Sequence, residues 1–162
     1  MLRKARMDDF IYFYEIKSEE DNLFWCGYTN KPIVDNLLSF WNKYIQDNNE
    51  RTIFMIIVNN KPCGYVYVDY KSQNKVELSI GVSSKCSGKG IATEAIKEIV
   101  MKMQKHRFSE IFAYIREDNI KSERVFAKSG FVKTSLYNKV KLENSIDEIK
   151  LFKWIYKESC KF

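Results

Sequence analysis

Histidine is almost missing from this sequence, since His106 is the only one in 162 residues. The four cysteines, Cys26, Cys63, Cys86 and Cys160, form no Cys-x-x-Cys pair. Protein zinc sites draw their ligands from clustered cysteine and histidine side chains, so we expect no metal site. A chain of this length can bury a hydrophobic core without disulfides, and we therefore expect free thiols.

Leader signals and long apolar runs are also missing. The opening segment MLRKARMDDF contains no apolar stretch typical of a signal peptide. No run approaches the roughly 20 apolar residues that a membrane-spanning helix requires. With two prolines and six glycines, the sequence has no Pro- or Gly-rich linker. We therefore expect one domain over residues 1–162, in the cytoplasm and without a membrane partner.

The net charge is positive, but the basic residues are dispersed along the chain. Lysine and arginine number 27 against 21 acidic residues, which gives a formal net charge of +6. A nucleic-acid-binding face requires clustered basic residues with interleaved aromatic side chains. Here acidic residues lie among the basic ones, so we expect no nucleic-acid partner. The 45% hydrophobic and 15% aromatic fractions indicate a folded globular chain.

Hydrophobic periodicity predicts the order of the helices and strands. Apolar residues recur at helical spacing over residues 33–45 and 91–103, and a shorter helix is predicted over residues 118–130. Strand patterns begin at Thr52, Cys63, Lys75 and Glu110, and the segments FVKTSLYNKV and IDEIKLFKWIYK look like a closing antiparallel pair. Hairpins joined to one strand–helix–strand crossover predict an α/β (α+β mixed) fold. We expect a mixed, mostly antiparallel twisted sheet of about six or seven strands, flanked by helices.

The segment SIGVSSKCSGKGIATEAI, residues 79–96, runs from a predicted strand through a glycine-bearing turn into a predicted helix. A helix N-terminus presents unpaired backbone N–H groups and favours negative charge. Gly88 and Gly90 permit close approach of a ligand to the backbone, and Lys89 adds a cation. The turn is therefore a candidate phosphate site, and a plain tight turn is the alternative.

Two common phosphate-binding motifs do not fit this turn. The Walker A pattern G-x-x-x-x-G-K-S/T requires a glycine where Ser83 stands and a hydroxyl residue where Gly90 stands. The dinucleotide-binding pattern G-x-G-x-x-G requires a third glycine where Thr93 stands. Neither motif therefore describes this turn, and the plain tight turn stays the alternative.

Two segments together resemble the GNAT superfamily of acetyl-CoA-dependent N-acetyltransferases, and within it the RimJ/RimL-like branch. The family's pyrophosphate motif, Gln/Arg-x-x-Gly-x-Gly/Ala, falls on residues 87–92 and is followed by Thr93-Glu94-Ala95. The second segment, DNIKSERVFAKSGF, carries Asn119, Ser122 and the ending Ser129-Gly130-Phe131. The resemblance covers nearly the whole chain.

The resemblance implies acetyl-CoA as co-substrate and no metal. It implies that the strand before the turn splays away from the next parallel strand, and that the pantetheine arm enters the gap. The residues implied for cofactor binding are Ile80, Gly81 and Val82 on the strand, Ser87, Gly88, Lys89, Gly90, Ile91, Ala92 and Thr93 in the turn and helix start, and Asn119, Ser122 and Phe126 in the second segment.

The implied reaction is direct transfer of an acetyl group to a primary amine in a ternary complex. The amine must lose a proton, and Glu77, on the strand before the turn, is the candidate base. An exposed, ion-paired glutamate is the alternative interpretation of Glu77. A backbone N–H near Val82 is the implied donor to the oxyanion.

Two positions depart from the family pattern. Phe126 stands where many members have a tyrosine that protonates the leaving thiolate, so Ser122 and Tyr114 become the candidate acids. Backbone hydrogen bonding and core packing are their alternative roles. Ser87 stands where glutamine or arginine is usual, and it brings no charge. Because of Phe126, a non-catalytic acyl-CoA sensor with the same fold stays an alternative function.

The acceptor is open from sequence alone: a small amine, an amino sugar or a protein N-terminus. Residues 21–32, DNLFWCGYTNKP, either form part of an acceptor wall or pack as a loop between helices. The consecutive acids Glu19, Glu20 and Asp21 either attract a cationic amine or are solvated. Monomer and homodimer are both open.

Overall fold

The computed structural model describes residues 1–158, so Cys160 lies outside the described residues. Within them, the strands are β1 (Leu2–Lys4), β2 (Arg51–Val58), β3 (Lys61–Ser72), β4 (Lys75–Val82), β5 (Glu110–Arg116), β6 (Phe131–Val140) and β7 (Ile149–Tyr156). The α-helices are α1 (Phe10–Lys17), α2 (Glu20–Cys26), α3 (Val34–Ile45), α4 (Ile91–Lys105) and α5 (Ile120–Lys128). Short 3-10 turns lie at Met7–Asp9 and Ser84–Cys86.

The strands form one sheet in the order β1-β2-β3-β4-β5-β7-β6. Neighbouring strands are antiparallel except β4 and β5, which are parallel and are joined through α4. A parallel pair needs a crossover of this kind, whereas the antiparallel pairs do not. The predicted α/β class, with a mixed and mostly antiparallel sheet of about seven strands, is confirmed.

The strand register aligns two rows of side chains across the sheet. Arg51, Asp69 and Glu77 are cross-strand partners on β2, β3 and β4. Tyr67, two residues before Asp69 on β3, pairs with Ser79, two residues after Glu77 on β4. Because side chains alternate between the two faces of a strand, all five project from the same face. Polar and charged side chains from three consecutive strands therefore lie on one face of the sheet.

Each face of the sheet has its own hydrophobic core. On one face, Ile96 and Ile99 of α4 pack with Val76 of β4, and all three are fully buried. On the other, Phe13 of α1 and Trp41 of α3 are fully buried, with ring centroids 4.6 Å apart. Burial of each such side chain stabilises the fold by about 1.5–3 kcal/mol. These cores hold the sheet rigid on both sides of the β4–β5 pair.

Both ends of α5 have residues suited to ending a helix. Asn119 is the N-cap, and its Oδ1 accepts a hydrogen bond of 3.0 Å from the backbone N–H of Ser122. Gly130 follows the helix in the left-handed conformation, with a φ of 93°. Both features set where the second motif lies relative to the sheet.

No helix within residues 1–158 is long and apolar enough to cross a membrane. In the same part of the chain, no group of three or more His, Cys, Asp or Glu side chains is placed to hold a metal ion. Cys26, Cys63 and Cys86 are free thiols. Burial, with a hydrogen bond to Cys86, raises the pKa of Cys63 to about 11.

Candidate active site

The parallel strands β4 and β5 separate partway along their length. Pairing joins residues 75–77 of β4 to residues 110–112 of β5 and then stops. Beyond that point β4 still pairs with β3 as far as Val82, and β5 pairs with β7 as far as Arg116. The β5-facing backbone groups of residues 78–82 therefore have no strand partner. Such groups require hydrogen bonds from elsewhere, and the gap suits an extended polar ligand.

Ion pairs hold together the closed end of this gap. Glu110, the first residue of β5, accepts a hydrogen bond of 2.6 Å from Lys153 Nζ of β7. A second lysine, Lys75 of β4, lies 3.9 Å from the same carboxylate. The hydrogen bond from Lys153, the largest influence, holds the pKa of Glu110 below its usual value. One carboxylate therefore links the strands on either side of β5.

The glycine turn lies at the open end of the gap. Gly88 and Gly90 have φ angles of +79° and +77°, a conformation that glycine adopts without steric cost. No heavy atom lies within 4 Å of a Cβ added at either position, so the space above the turn is open. No side chain caps α4. The N–H groups of Ile91, Ala92 and Thr93 have no intrahelical partner, and together these features form a cradle for an anion.

A cleft of about 150 Å³ joins the gap to the glycine turn. Seven of the predicted cofactor residues line it: Ile80, Gly81, Val82, Ser87, Ala92, Asn119 and Ser122. Gly88, Lys89 and Gly90 are exposed in the turn between Ser87 and the start of α4.

Two predicted cofactor residues point elsewhere. The side chains of Ile91 and Phe126 belong to the core, with exposed fractions of 9% and 2%. The Phe126 ring packs edge-on against Phe131, with centroids 5.0 Å apart. Ile91 therefore offers the cleft only its backbone, and Phe126 is a core residue of α5.

Lys121 brings a positive charge to the glycine turn. Its Nζ donates a hydrogen bond to Ser87 Oγ, and both residues line the cleft. Sequence reasoning missed Lys121 because the two residues belong to different motifs. The feature that could have identified Lys121 is its position in the exposed first turn of α5, beside the predicted cofactor residue Ser122.

Helix α2 lies across the gap and contacts β4 at one end. Asn22, which is 9% exposed, donates from Nδ2 to the carbonyl of Val82 over 3.3 Å. Glu19, immediately before α2, accepts a hydrogen bond of 2.6 Å from Ser83 Oγ. Glu19 therefore anchors α2 beside the glycine turn. Asp21, Asn22 and Trp25 of α2 line the cleft.

The other end of α2 is fixed to β5 by Arg116, which is 7% exposed. Its guanidinium forms two hydrogen bonds with Asp118, of 3.0 and 2.9 Å, and donates to the Phe24 carbonyl over 3.3 Å. It also lies 5.1 Å from the ring centroids of Phe24 and Trp25. The hydrogen bond from Arg116 lowers the pKa of Asp118. Helix α2 is thus bound to both separated strands.

A second cavity of about 650 Å³ lies over β2 and β3, and we call it the basic pocket. Its charged lining residues are Lys17, Lys31, Arg51 and Glu143. Helix α2 lies between the two cavities, because its Asn22 and Trp25 line the cleft while its Leu23 lines the basic pocket. Tyr28 and Asn30 of the segment DNLFWCGYTNKP also line this pocket. That segment therefore both packs between helices and forms a cavity wall.

Glu77 and Tyr114 lie beside the gap but are not among the cleft-lining residues. Glu77 is the last residue of β4 that pairs with β5, and its Oε2 is 3.1 Å from Lys71 Nζ. Tyr114 stands on β5 beyond the paired segment, two residues after Phe112, the partner of Glu77. Alternation places both side chains on the face that carries α1 to α3.

A split parallel pair with an uncapped helix N-terminus at its open end suits a long anionic ligand that lies between two strands. The family model described as acetyltransferase (GNAT) domain matches residues 1–132, and the chain belongs to this family. The predicted family and the predicted class of activity, acyl transfer, are confirmed.

Solved structures with the same fold are also acetyltransferases. The spermidine N-acetyltransferase from Vibrio cholerae, in complex with CoA and spermine, is 18% identical with a TM-score of 0.81, over 96% of this chain and 94% of that one. The ribosomal-protein-alanine N-acetyltransferase from Brucella melitensis is 16% identical with a TM-score of 0.80, over 98% and 99%. The aminoglycoside acetyltransferase AAC(6′)-Ib, in complex with coenzyme A, is 14% identical with a TM-score of 0.79, over 98% and 94%. No curated protein matches the chain in sequence.

Proposed function

We propose that this protein transfers an acetyl group from acetyl-CoA directly to a primary amine, and that it belongs to the RimJ/RimL-like branch. The main support is that the gap between β4 and β5 opens directly onto the Gly88–Gly90 turn. Acetyl-CoA, when bound, supplies an activated acetyl thioester. The amine acetyltransferases among the similar structures support an amine acceptor.

The residues of the cleft fit the chemistry of this cofactor. The N–H groups at the start of α4, with the cations of Lys89 and Lys121, suit a pyrophosphate. The backbone of residues 80–82, which has no strand partner on the side facing β5, suits the amide groups of an extended pantetheine arm. Asn119 and Ser122 line the opposite wall, where they complete the polar contacts of that arm.

Three groups of this chain carry the proposed proton and charge movements. Glu77 accepts the proton that the amine loses, through a water molecule, and the neutral nitrogen then forms the new C–N bond. A backbone N–H near Val82 stabilises the developing oxyanion. Tyr114 donates a proton to the sulfur as the C–S bond breaks, because a phenol is a stronger acid than a serine hydroxyl. The products are an amide and a free thiol.

The second candidate function is a non-catalytic acyl-CoA sensor. Phe126 supports it, because this buried ring has no proton to donate at the position where the family pattern has a tyrosine. Both functions require acetyl-CoA binding, and only the first requires turnover. The free thiols of Cys26, Cys63 and Cys86 suit a reducing compartment such as the cytoplasm in either case.

Two measurements, made one after the other, test these two functions. Acetyl-CoA at about 100 times its Kd should stabilise the fold by about 2.7 kcal/mol, whereas pantetheine, which lacks the pyrophosphate, should have a much smaller effect. Absence of any shift would exclude both functions. Thiol release is then followed across a panel of amines, with buffer alone as control. Amine-dependent release supports the transferase, and binding without it supports the sensor.

A further inference from the structure

We propose that the acceptor amine carries an anionic carboxylate or phosphate group and that the basic pocket binds this group. The inference rests on the proposed acetyl transfer, since it assigns the acceptor side of that reaction. It names the charge class of the acceptor, which neither the family nor the fold specifies.

Unpaired cations are the first support for this inference. In the described part of the chain, Lys17 and Lys31 form no ion pair. Lys17 Nζ instead lies 3.6 Å from Cys26 Sγ and 5.5 Å from the centroid of the Tyr65 ring. Both lysines line the pocket, so an anion entering it would meet two ammonium groups that have no ion-pair partner.

The acidic groups nearby offset these lysines only in part. Asp69 is engaged by Arg51 through two hydrogen bonds to its carboxylate. Glu143, on the loop between β6 and β7, keeps its negative charge and accepts a hydrogen bond from the neutral Thr29 Oγ1. Outside the Arg51–Asp69 ion pair, the lining therefore has two lysines and one glutamate, and its charge balance is positive. A polycationic amine would meet like charge here, whereas an anionic amine would meet opposite charge.

The size and walls of the pocket suit a small molecule. A volume of about 650 Å³ lies within the range of about 300–1,000 Å³ that is usual for small-ligand sites. Tyr28 and Tyr67 provide aromatic surfaces against which a ring-bearing scaffold can pack. The Arg51 guanidinium lies 4.3 Å from the centroid of the Tyr67 ring, which fixes the orientation of that ring.

The pocket is close enough to the cleft for one molecule to reach both. Tyr67 lines the pocket and is the cross-strand partner of Ser79, which directly precedes Ile80 of the cleft. Neighbouring strands are separated by about 4.8 Å. The base of the pocket and the wall of the cleft therefore lie on neighbouring strands, and a molecule with its anionic group at the lysines and its amine toward β4 would pass beside α2 to reach the gap.

Calorimetry with CoA-saturated protein tests this inference without requiring turnover. Two matched pairs are compared: glucosamine 6-phosphate with glucosamine, and phenylalanine with phenylalaninamide, with spermidine as the polycation. We expect the anionic member of at least one pair to bind at least about tenfold more tightly than its neutral or cationic partner, and more tightly than spermidine. Equal affinities, tighter binding of spermidine, or no binding of either anionic compound would overturn the inference.

A double variant then tests the pocket itself. Lys17→Gln with Lys31→Gln should remove most of the discrimination, and the matched double variant Lys105→Gln with Lys128→Gln, which has the same change in net charge outside the pocket, should retain it. Full discrimination in the first variant would overturn the assignment. Stabilisation by acetyl-CoA is measured in parallel. Its absence in the unmodified protein would refute the proposed acetyl transfer, whereas its presence without discrimination would refute the acceptor inference alone.

Discussion

Lys121 and Ser87 are joined by a hydrogen bond from the lysine Nζ to the serine Oγ, between two walls of the cleft. Ser87 stands where the family pattern has glutamine or arginine, so the glycine turn itself has a weaker donor at that position. Helix α5 supplies the charge because its first turn lies beside the glycine turn. Under the proposed function, two segments that are separate in sequence thus complete one anion site.

Replacement of Lys121 should weaken cofactor binding. Lys121→Gln is expected to raise the KM for acetyl-CoA about fivefold, which corresponds to about 1 kcal/mol, with kcat unchanged. Steady-state kinetics measure the effect, and Lys128→Gln on the same helix is the control. An unchanged KM would show that Lys121 contributes only to the hydrogen bond with Ser87.

A side chain at Gly90 should block the anion cradle. Gly90→Val adds about 1–2 kcal/mol of backbone strain at a φ of +77° and places methyl groups in the open space above the turn. We expect a Tm lowered by several degrees and no detectable acetyl-CoA binding by calorimetry. Gly130→Ala is the control, because it introduces backbone strain at a φ of +93° away from the cleft, together with a contact of 2.9 Å to the Tyr156 ring, and should lower the Tm while acetyl-CoA binding is retained. Tight binding by the Gly90 variant would contradict the placement of the pyrophosphate.

The two candidate acids should have different kinetic effects. Tyr114→Phe removes the proposed proton donor to sulfur and is expected to lower kcat at least about tenfold. Ser122→Ala removes a cleft-lining hydroxyl and is expected to raise the KM for acetyl-CoA a few-fold, with little change in kcat. Steady-state kinetics with one amine distinguish them. The reverse pattern would assign the acid role to Ser122.

The proposed role of Glu77 as the base should be visible in the pH dependence of kcat. Glu77→Gln is expected to lower turnover most below the pKa of the acceptor amine, where the nitrogen must lose a proton before it attacks. Lys71→Gln, which removes the ion-pair partner of Glu77, should leave the base in place and retain most of the turnover. The kcat of both variants is measured between about pH 6 and 9. Superimposable profiles for Glu77→Gln and the unmodified protein would remove Glu77 from the mechanism.

The carboxylate of Glu110 should make stability depend on acid pH. Its pKa is lowered in the folded state, chiefly by the hydrogen bond from Lys153, so its contribution is present above the usual carboxyl pKa and is lost as the pH falls through the folded value. We expect Glu110→Gln to lower the stability by about 1 kcal/mol at pH 7, with a difference that vanishes in the acid range. Urea unfolding at a series of pH values measures this. If the difference in the free energy of unfolding did not change with pH, the effect of Glu110→Gln would come from packing and not from the charge of the carboxylate.

The order of the elements from α3 onward was predictable because each of them is encoded locally. Apolar spacing marks α4, and the cap pair of Asn119 and Gly130 marks α5. The crossover through α4 also predicted the parallel pair, and the family resemblance predicted its splay. These features depend on residues a few positions apart, where periodicity and capping chemistry are reliable guides.

The position of α2 was not predictable, because it depends on contacts distant in sequence. The hydrogen bond between Asn22 and Val82 spans 60 residues, and that between Arg116 and Phe24 spans 92. The charge of the basic pocket was hidden for the same reason, since Lys17, Lys31 and Arg51 lie in different segments. The burial of Phe126 likewise follows from how α5 packs on the sheet.

Helix α2, fixed at one end to β4 and at the other to β5, also separates the routes by which two substrates would enter. Under the proposed roles, the cofactor reaches the gap from the side of the glycine turn, and the acceptor arrives through the basic pocket on the other side of the helix. Neither ligand obstructs the path of the other. The fold therefore favours random-order kinetics, in which either substrate binds first.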